Sequence, residues 1–338
     1  MLDSSLEFEN DWRDEFKNSF RSTHKLHQFL GFEIPKTDYP LFIPVRLALK
    51  IKELGQQSSL WKQFVPSTLE NEDKGLVDPI GDLVHSKPGQ LIHRYQNRAL
   101  FMPTNICPVL CRYCFRKNEL FNEKELFEAN LVETQKYLLE HSEINEIIFS
   151  GGDPFILSDE KLASYIDFFA SIKSIKHLRF HTRIPVILPS RINQPLLEVL
   201  KKSSGHFETI SIAIHSNHVD EWDQEIETAI MKLNRLGLQL LSQTVLLKDV
   251  NNTAQDIVNL MNKLVKNKIR PYYLHHPDSV KGGMHFMVPL EEGRKIYSEL
   301  RDQLPGWAIP QYIIDRPDGR GKLPAFNPES FNFSGQFI

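Results

Sequence analysis

The 338-residue chain is 41% hydrophobic, enough for a large buried core, and its formal charge of −3, with acids and bases interspersed, offers no polycationic arm for nucleic acid. No apolar run is long enough to span a membrane, and the opening MLDSSLEFENDWRDEF is too acidic for a secretory leader. The expected setting is the cytosol, where thiols stay reduced; three close cysteines also make a poor disulfide framework.

Residues 1–90 read as a mainly helical region, polar and broken by prolines. DWRDEFKNSFRSTHKLHQFLG has helical spacing, and IPVRLALKIKELG runs to a glycine stop. Near Leu91 the texture changes. Short apolar runs (ALFMPTNIC, EIIFSGG, HLRFHTRIP, TISIAIHSN, QLLSQTVLLKDV and PYYLHHPD) alternate with amphipathic stretches such as ANLVETQKYLLEH, DEKLASYIDFFASI, NQPLLEVLKKS, DEWDQEIETAIMKLNRLG and TAQDIVNLMNKLVKN. Six strand-then-helix units predict an α/β fold with a parallel sheet over 91–322. The last stretch, 323–338, reads as an irregular tail.

Polar and reactive residues gather where each apolar run ends: Asn105 and Cys107, Gly151 to Asp153, His181 and Arg183, His215 and Asn217, Gln243 and Lys248, His275 to Asp278. In a parallel α/β barrel those positions share one face, on which active sites are built.

All three cysteines, Cys107, Cys111 and Cys114, fall in CPVLCRYC with spacing C-x3-C-x2-C. A structural zinc, or a four-iron cluster held wholly by protein, takes four ligands. Three thiolates leave one iron open to a small molecule. A zinc site completed by one of the 13 histidines is the alternative. The spacing, with aromatic Tyr113 before the last cysteine, resembles the signature of radical S-adenosylmethionine enzymes. The resemblance implies a partial (βα)6 TIM-like barrel. It also implies a [4Fe-4S] cluster whose open iron chelates S-adenosylmethionine and whose electron cleaves it to a 5′-deoxyadenosyl radical. Ser150, Gly151, Gly152 and Asp153, in SGGDP after the second strand, resemble the segment that contacts the methionine end of that cofactor, and His215 joins the cofactor-binding set.

Two further stretches carry cofactor chemistry. In LIHRYQNRAL, Arg94, Tyr95 and Arg98 put two guanidiniums and a phenol within five residues, and arginine forks suit a phosphate. In DRPDGRGKLP, glycines 319 and 321 stand just before Lys322 on what reads as a mobile turn, from which a lysine can form a Schiff base with an aldehyde cofactor. With CPVLCRYCFRK, HTRIPV, VLLKDVNN and YYLHHPDSVKGGMHF, these stretches resemble lysine 2,3-aminomutases over about residues 78–325.

That resemblance implies pyridoxal 5′-phosphate held by Lys322, with Arg94, Tyr95 and Arg98 around its phosphate. Arg116 would bind the carboxylate of L-lysine, and Asp278 and Asp315 its distal ammonium. The implied reaction moves the α-amino group of L-lysine to carbon 3, giving β-lysine; arginine would suit the same aspartates. Flavodoxin or ferredoxin is the kind of electron donor expected, and a homo-oligomer is open. The segment Asp318-Gly-Arg320 departs from the glycine run of catabolic relatives. The chain also has neither the extra cysteines nor the C-terminal extension of larger relatives, so no zinc is expected. GGMHFMV and CRYCFRK resemble the branch that supplies β-lysine for elongation factor P, while Asp315 leans the other way.

Overall fold

The computed structural model describes residues 11–120, 130–316 and 321–326, and it opens with four short helices: α1 (Trp12–Lys17), α2 (Thr23–Leu30), α3 (Val45–Leu54) and α4 (Ser59–Phe64). The first helical stretch of the sequence is thus two helices. Ser22 caps α2 with its hydroxyl, and Phe20 leaves the helical path to exchange backbone hydrogen bonds with Ile43 at 2.7 and 3.1 Å. Leu26, Leu30, Leu47, Ile51, Leu60 and Phe64 form one buried cluster that also takes in Val109, beside the cysteines, and Ile187. The N-terminal region therefore packs onto the barrel. Its apolar faces had no other partner in the sequence, so only the folded chain could show where they dock.

A single ten-stranded sheet follows, and its spatial order is its chain order: β1 (Ser86–Lys87), β2 (Leu91–Tyr95), β3 (Arg98–Phe101), β4 (Glu146–Phe149), β5 (His177–Thr182), β6 (Thr209–His215), β7 (Gln239–Val245), β8 (Arg270–His275), β9 (Gln311–Arg316) and β10 (Gly321–Pro324). From β3 to β9 every pairing is parallel; β1–β2–β3 and β9–β10 are antiparallel. The six expected strands are β3 to β8. A seventh parallel strand, β9, extends the expected six units, and LIHRYQNRAL is the β2–β3 hairpin.

Crossover helices join the parallel strands: α5 (Leu131–Glu140), α6 (Asp159–Ala170), the one-turn α7 (Ile184–Ile187) with α8 (Gln194–Ser203), α9 (Gln224–Asn234), α10 (Ala254–Lys266) and α11 (Leu290–Arg301). Asn130, Ser158, Asn193, Asp223 and Thr253 cap five of them with side-chain oxygens. The sixth, α11, starts after Pro289 with no side-chain cap, the one start the sequence does not announce. Between sheet and helices, the register row Phe101–Phe149–Phe180 packs ring on ring, with centroids 5.4 and 4.8 Å apart, against Phe169 of α6.

The two ends of the sheet meet through side chains. Arg94 on β2 pairs with Asp315 on β9 at 3.5 Å, and the Lys322 backbone N–H on β10 donates to the Tyr95 hydroxyl at 2.7 Å. The supposed tail continues β10 through Pro324, and Ala325 N–H then bonds Tyr312 O at 2.9 Å. Asp318, Gly319, Arg320 and 327–338 lie outside the described residues. Among the described residues no helix is long and apolar enough to cross a membrane.

Candidate active site

One cavity collects most of the strand-end groups named above, though Asn105, Asn217, Lys248 and His276 do not line it. Cys107, Cys111, Cys114, Ser150, Gly151, Gly152 and Asp153 line it on one side. Arg94, Tyr95, Arg98, Arg116, His215, Asp278, Asp315 and Lys322 complete it. These residues come from seven of the ten strands or the loops that follow them. Most of this convergence follows from parallel strands that end at one rim, while Arg94, Tyr95 and Lys322 come from the antiparallel strands β2 and β10 and Arg98 from the start of β3.

The thiols are unpaired, and burial pushes all three above their ordinary value, Cys114 to about 12; the Cys114 and Cys111 charges also raise Cys107, and the Cys111 charge raises Cys114. Among the described residues no three His, Cys, Asp or Glu side chains converge as ligands of a single ion do. Beside the cysteines, a Cβ on Gly152 would lie 2.2 Å from the Ile106 carbonyl oxygen, so only glycine lets the β4 loop touch the cysteine segment. Asp153, which lines the cavity, also braces its wall. Its carboxylate accepts from Arg183 N (2.6 Å), Thr182 Oγ1 (2.7 Å), Phe155 N (3.1 Å) and Ile184 N (3.2 Å), tying the end of β4 to the end of β5. Burial nevertheless lifts it to about 6, against those bonds.

At the other end, charges alternate in a chain. Arg116 donates to Asp82 Oδ2 through Nε (3.1 Å) and Nη2 (2.6 Å), and to Ser150 Oγ at 3.2 Å. Asp82 Oδ1 accepts from Arg94 at 2.8 Å, and Arg94 reaches Asp315. Lys322 Nζ donates to Asp315 Oδ2 at 2.6 Å, and His275 Nδ1 lies 3.6 Å from the same oxygen. Burial alone would raise Asp315, but the neighbouring His275 imidazole and the Lys322 ammonium outweigh it and hold the carboxyl well below the usual range. Asp278, 37 positions away in sequence, is lifted to about 7 by burial and then by the Asp315 charge, with Lys322 opposing. The two aspartates therefore do share one electrostatic environment.

Lys322 sits on a strand rather than on the expected turn: β10 pairs it with Asp315 across the β9–β10 hairpin. Gly321 has φ +75°, and a Cβ there would lie 2.3 Å from the Tyr95 hydroxyl. Tyr95 holds the Lys322 backbone and carries the Arg98 guanidinium 3.7 Å above its ring. His215 accepts from or donates to Tyr113 OH at 2.7 Å, with the rings stacked; burial, then the Arg183 charge, keep its imidazole well below the ordinary value. Asp82, Gln63 and Glu221 escaped the sequence reading. Asp82 and Gln63 precede the sheet, and Glu221 lies in a loop, so no periodicity pointed to them.

The radical SAM superfamily matches residues 101–277 of the chain. L-lysine 2,3-aminomutase of Escherichia coli is 40% identical over 248 residues, 73% of this chain and 71% of that protein. Those of Methanococcus maripaludis (35%, covering 93% and 75%) and Haemophilus influenzae (34%, covering 90% and 92%) are also similar. The chain belongs to the radical SAM lysine 2,3-aminomutase family.

Radical SAM enzymes carry a [4Fe-4S] cluster and S-adenosylmethionine, and lysine aminomutases use pyridoxal phosphate. The residues present fit these groups. Three unpaired thiols ring one cavity; Arg183 Nε and Arg94 Nε are buried donors without a hydrogen-bond partner, and Asp315 Oδ1 is a buried acceptor without one. Orphaned polar atoms at a cavity wall are what a bound polar group would satisfy.

Proposed function

We propose that this chain is a lysine 2,3-aminomutase that converts L-lysine to β-lysine. The observation that carries the reading is the meeting of three thiols and a lysine ammonium, more than 200 positions apart, in one cavity. Cys107, Cys111 and Cys114 would hold the cluster, and the Gly151–Gly152 backbone would lie along S-adenosylmethionine. Lys322 would hold pyridoxal phosphate, with Arg98 and Arg94 toward its phosphate. When bound, these groups supply the one-electron and amine chemistry that nitrogen migration needs.

The chain's own residues bind and orient. Asp82 and Ser150 fix the fork of Arg116, which can then meet a carboxylate in one orientation. Asp315, already ionised and holding one ammonium, suits the distal ammonium of lysine, and Asp278 adds a second carboxylate. A buried ammonium without such partners would be costly. His275 keeps Asp315 oriented. The reading places the chain in the reducing cytosol, served by a small one-electron donor of the flavodoxin or ferredoxin kind. Supply of β-lysine to elongation factor P is the role we favour for the product.

Anaerobic protein reconstituted with iron, sulfide and pyridoxal phosphate, then given dithionite, S-adenosylmethionine and L-lysine, should form β-lysine; L-arginine alongside should not turn over. Lys322→Ala should lose both the visible absorbance of the bound aldehyde cofactor and the activity. Product from arginine alone, or an active K322A protein, would overturn the assignment.

A further inference from the structure

We propose that Arg183 is a positioning residue for the cysteine segment and sets how readily a cluster held there is reduced; this rests on the cluster reading above. Arg183 is buried, with 6% of its surface exposed. Its Nη1 donates to Cys111 Sγ at 3.1 Å and to the Tyr113 hydroxyl. Its Nη2 donates to Glu221 Oε2 at 2.9 Å and to Gln63 Oε1 at 3.0 Å, and its backbone N–H is held by Asp153. The loop after β4, the loop after β6 and helix α4 of the N-terminal region thus fix one guanidinium against one thiol. Its Nε, buried and without a hydrogen-bond partner, remains for a bound group to accept.

A role in folding alone would be met by the Arg183–Glu221 pair, and such pairs contribute little that apolar residues could not. The N–H···S contact does something an apolar residue cannot. Reducing the cluster from 2+ to 1+ takes one electron from an external reductant and adds one negative charge, with no bond made or broken. A cation that donates to a cysteine sulfur stabilises the more negative state, because hydrogen bonds to the sulfurs and nearby charge set cluster potentials. Arg183 therefore raises the potential, and Gln63 links that setting to the N-terminal helices.

The test is the midpoint potential of the reconstituted cluster, followed by electron paramagnetic resonance during a redox titration, with iron and sulfide measured in each sample. Arg183→Gln should move the reduction equilibrium against the reduced state by about tenfold, which is 59 mV for one electron. Arg183→Lys keeps the charge but loses the fork, and should shift in the same direction by less. A cluster-loaded R183Q protein with an unmoved or raised potential overturns the proposal. If R183Q assembles no cluster, R183K decides: a lowered potential supports the proposal and an unchanged one sinks it. A native protein that assembles no four-iron cluster refutes the underlying reading instead.

Discussion

Asp278 and Asp315 show how one residue type takes opposite characters a short distance apart. Asp315 has Lys322 and His275 to stabilise its charge, whereas Asp278 has burial and a like-charged neighbour. The consequence is a pH dependence with a definite sign. Between 3.8 and about 7 the folded chain keeps a proton on Asp278 that the unfolded chain has released, so stability should fall as pH rises through that window. Asp315, whose folded value is depressed, contributes stability that is lost only in acid, below the same window. Thermal melts of the cofactor-free protein at about pH 5 and about pH 8 should therefore show a larger loss for the native protein than for Asp278→Asn. Equal losses would mean that Asp278 is ionised throughout. That both aspartates line one cavity agrees with what the family resemblance implied, though nothing in the sequence itself showed that they meet. That Asp82 and His275 hold their neighbours was not legible either, because their partners sit on other strands.

At the scale of elements, the site depends on two loops and a hairpin. The β4 loop can approach the cysteine segment only because residue 152 has no side chain. Gly152→Ala should force that segment away, lowering the iron bound on reconstitution and costing about 1–3 kcal/mol of stability, as overpacking does. Iron content and melting temperature check it, and full iron loading would show that the loop can yield. The β9–β10 hairpin teaches the converse lesson about reading. DRPDGRGKLP signals a turn through its Pro, Asp and Gly, yet Lys322 lies on strand β10, paired with Asp315. Helix α11 repeats Leu290, Gly293, Ile296, Tyr297 and Leu300 at helical spacing, and a closer count of periodicity would have found it despite its missing cap.

For the whole molecule, the N-terminal helices are part of the site's support. They cover Val109 and reach the buried Arg183 through Gln63, while Arg46 and Lys50 pair with Asp223 at the cap of α9. Arg46→Ala should loosen that seam by about 1 kcal/mol, an effect that salt reduces, since the pair is partly exposed. Faster amide exchange confined to residues 45–64 would report it; unchanged exchange there would show that apolar packing alone holds the region. The sequence by itself determined the elements and the chemistry: capped helices, apolar strands, three thiols at a set spacing and a lysine beside glycine are local patterns of propensity and residue type. Only the tertiary structure decided which groups neutralise one another. Curling the sheet brings β2 against β9 and β10, and so sets Arg94, Asp315 and Lys322 side by side; charge pairing depends on distance in space, which periodicity along a chain does not encode.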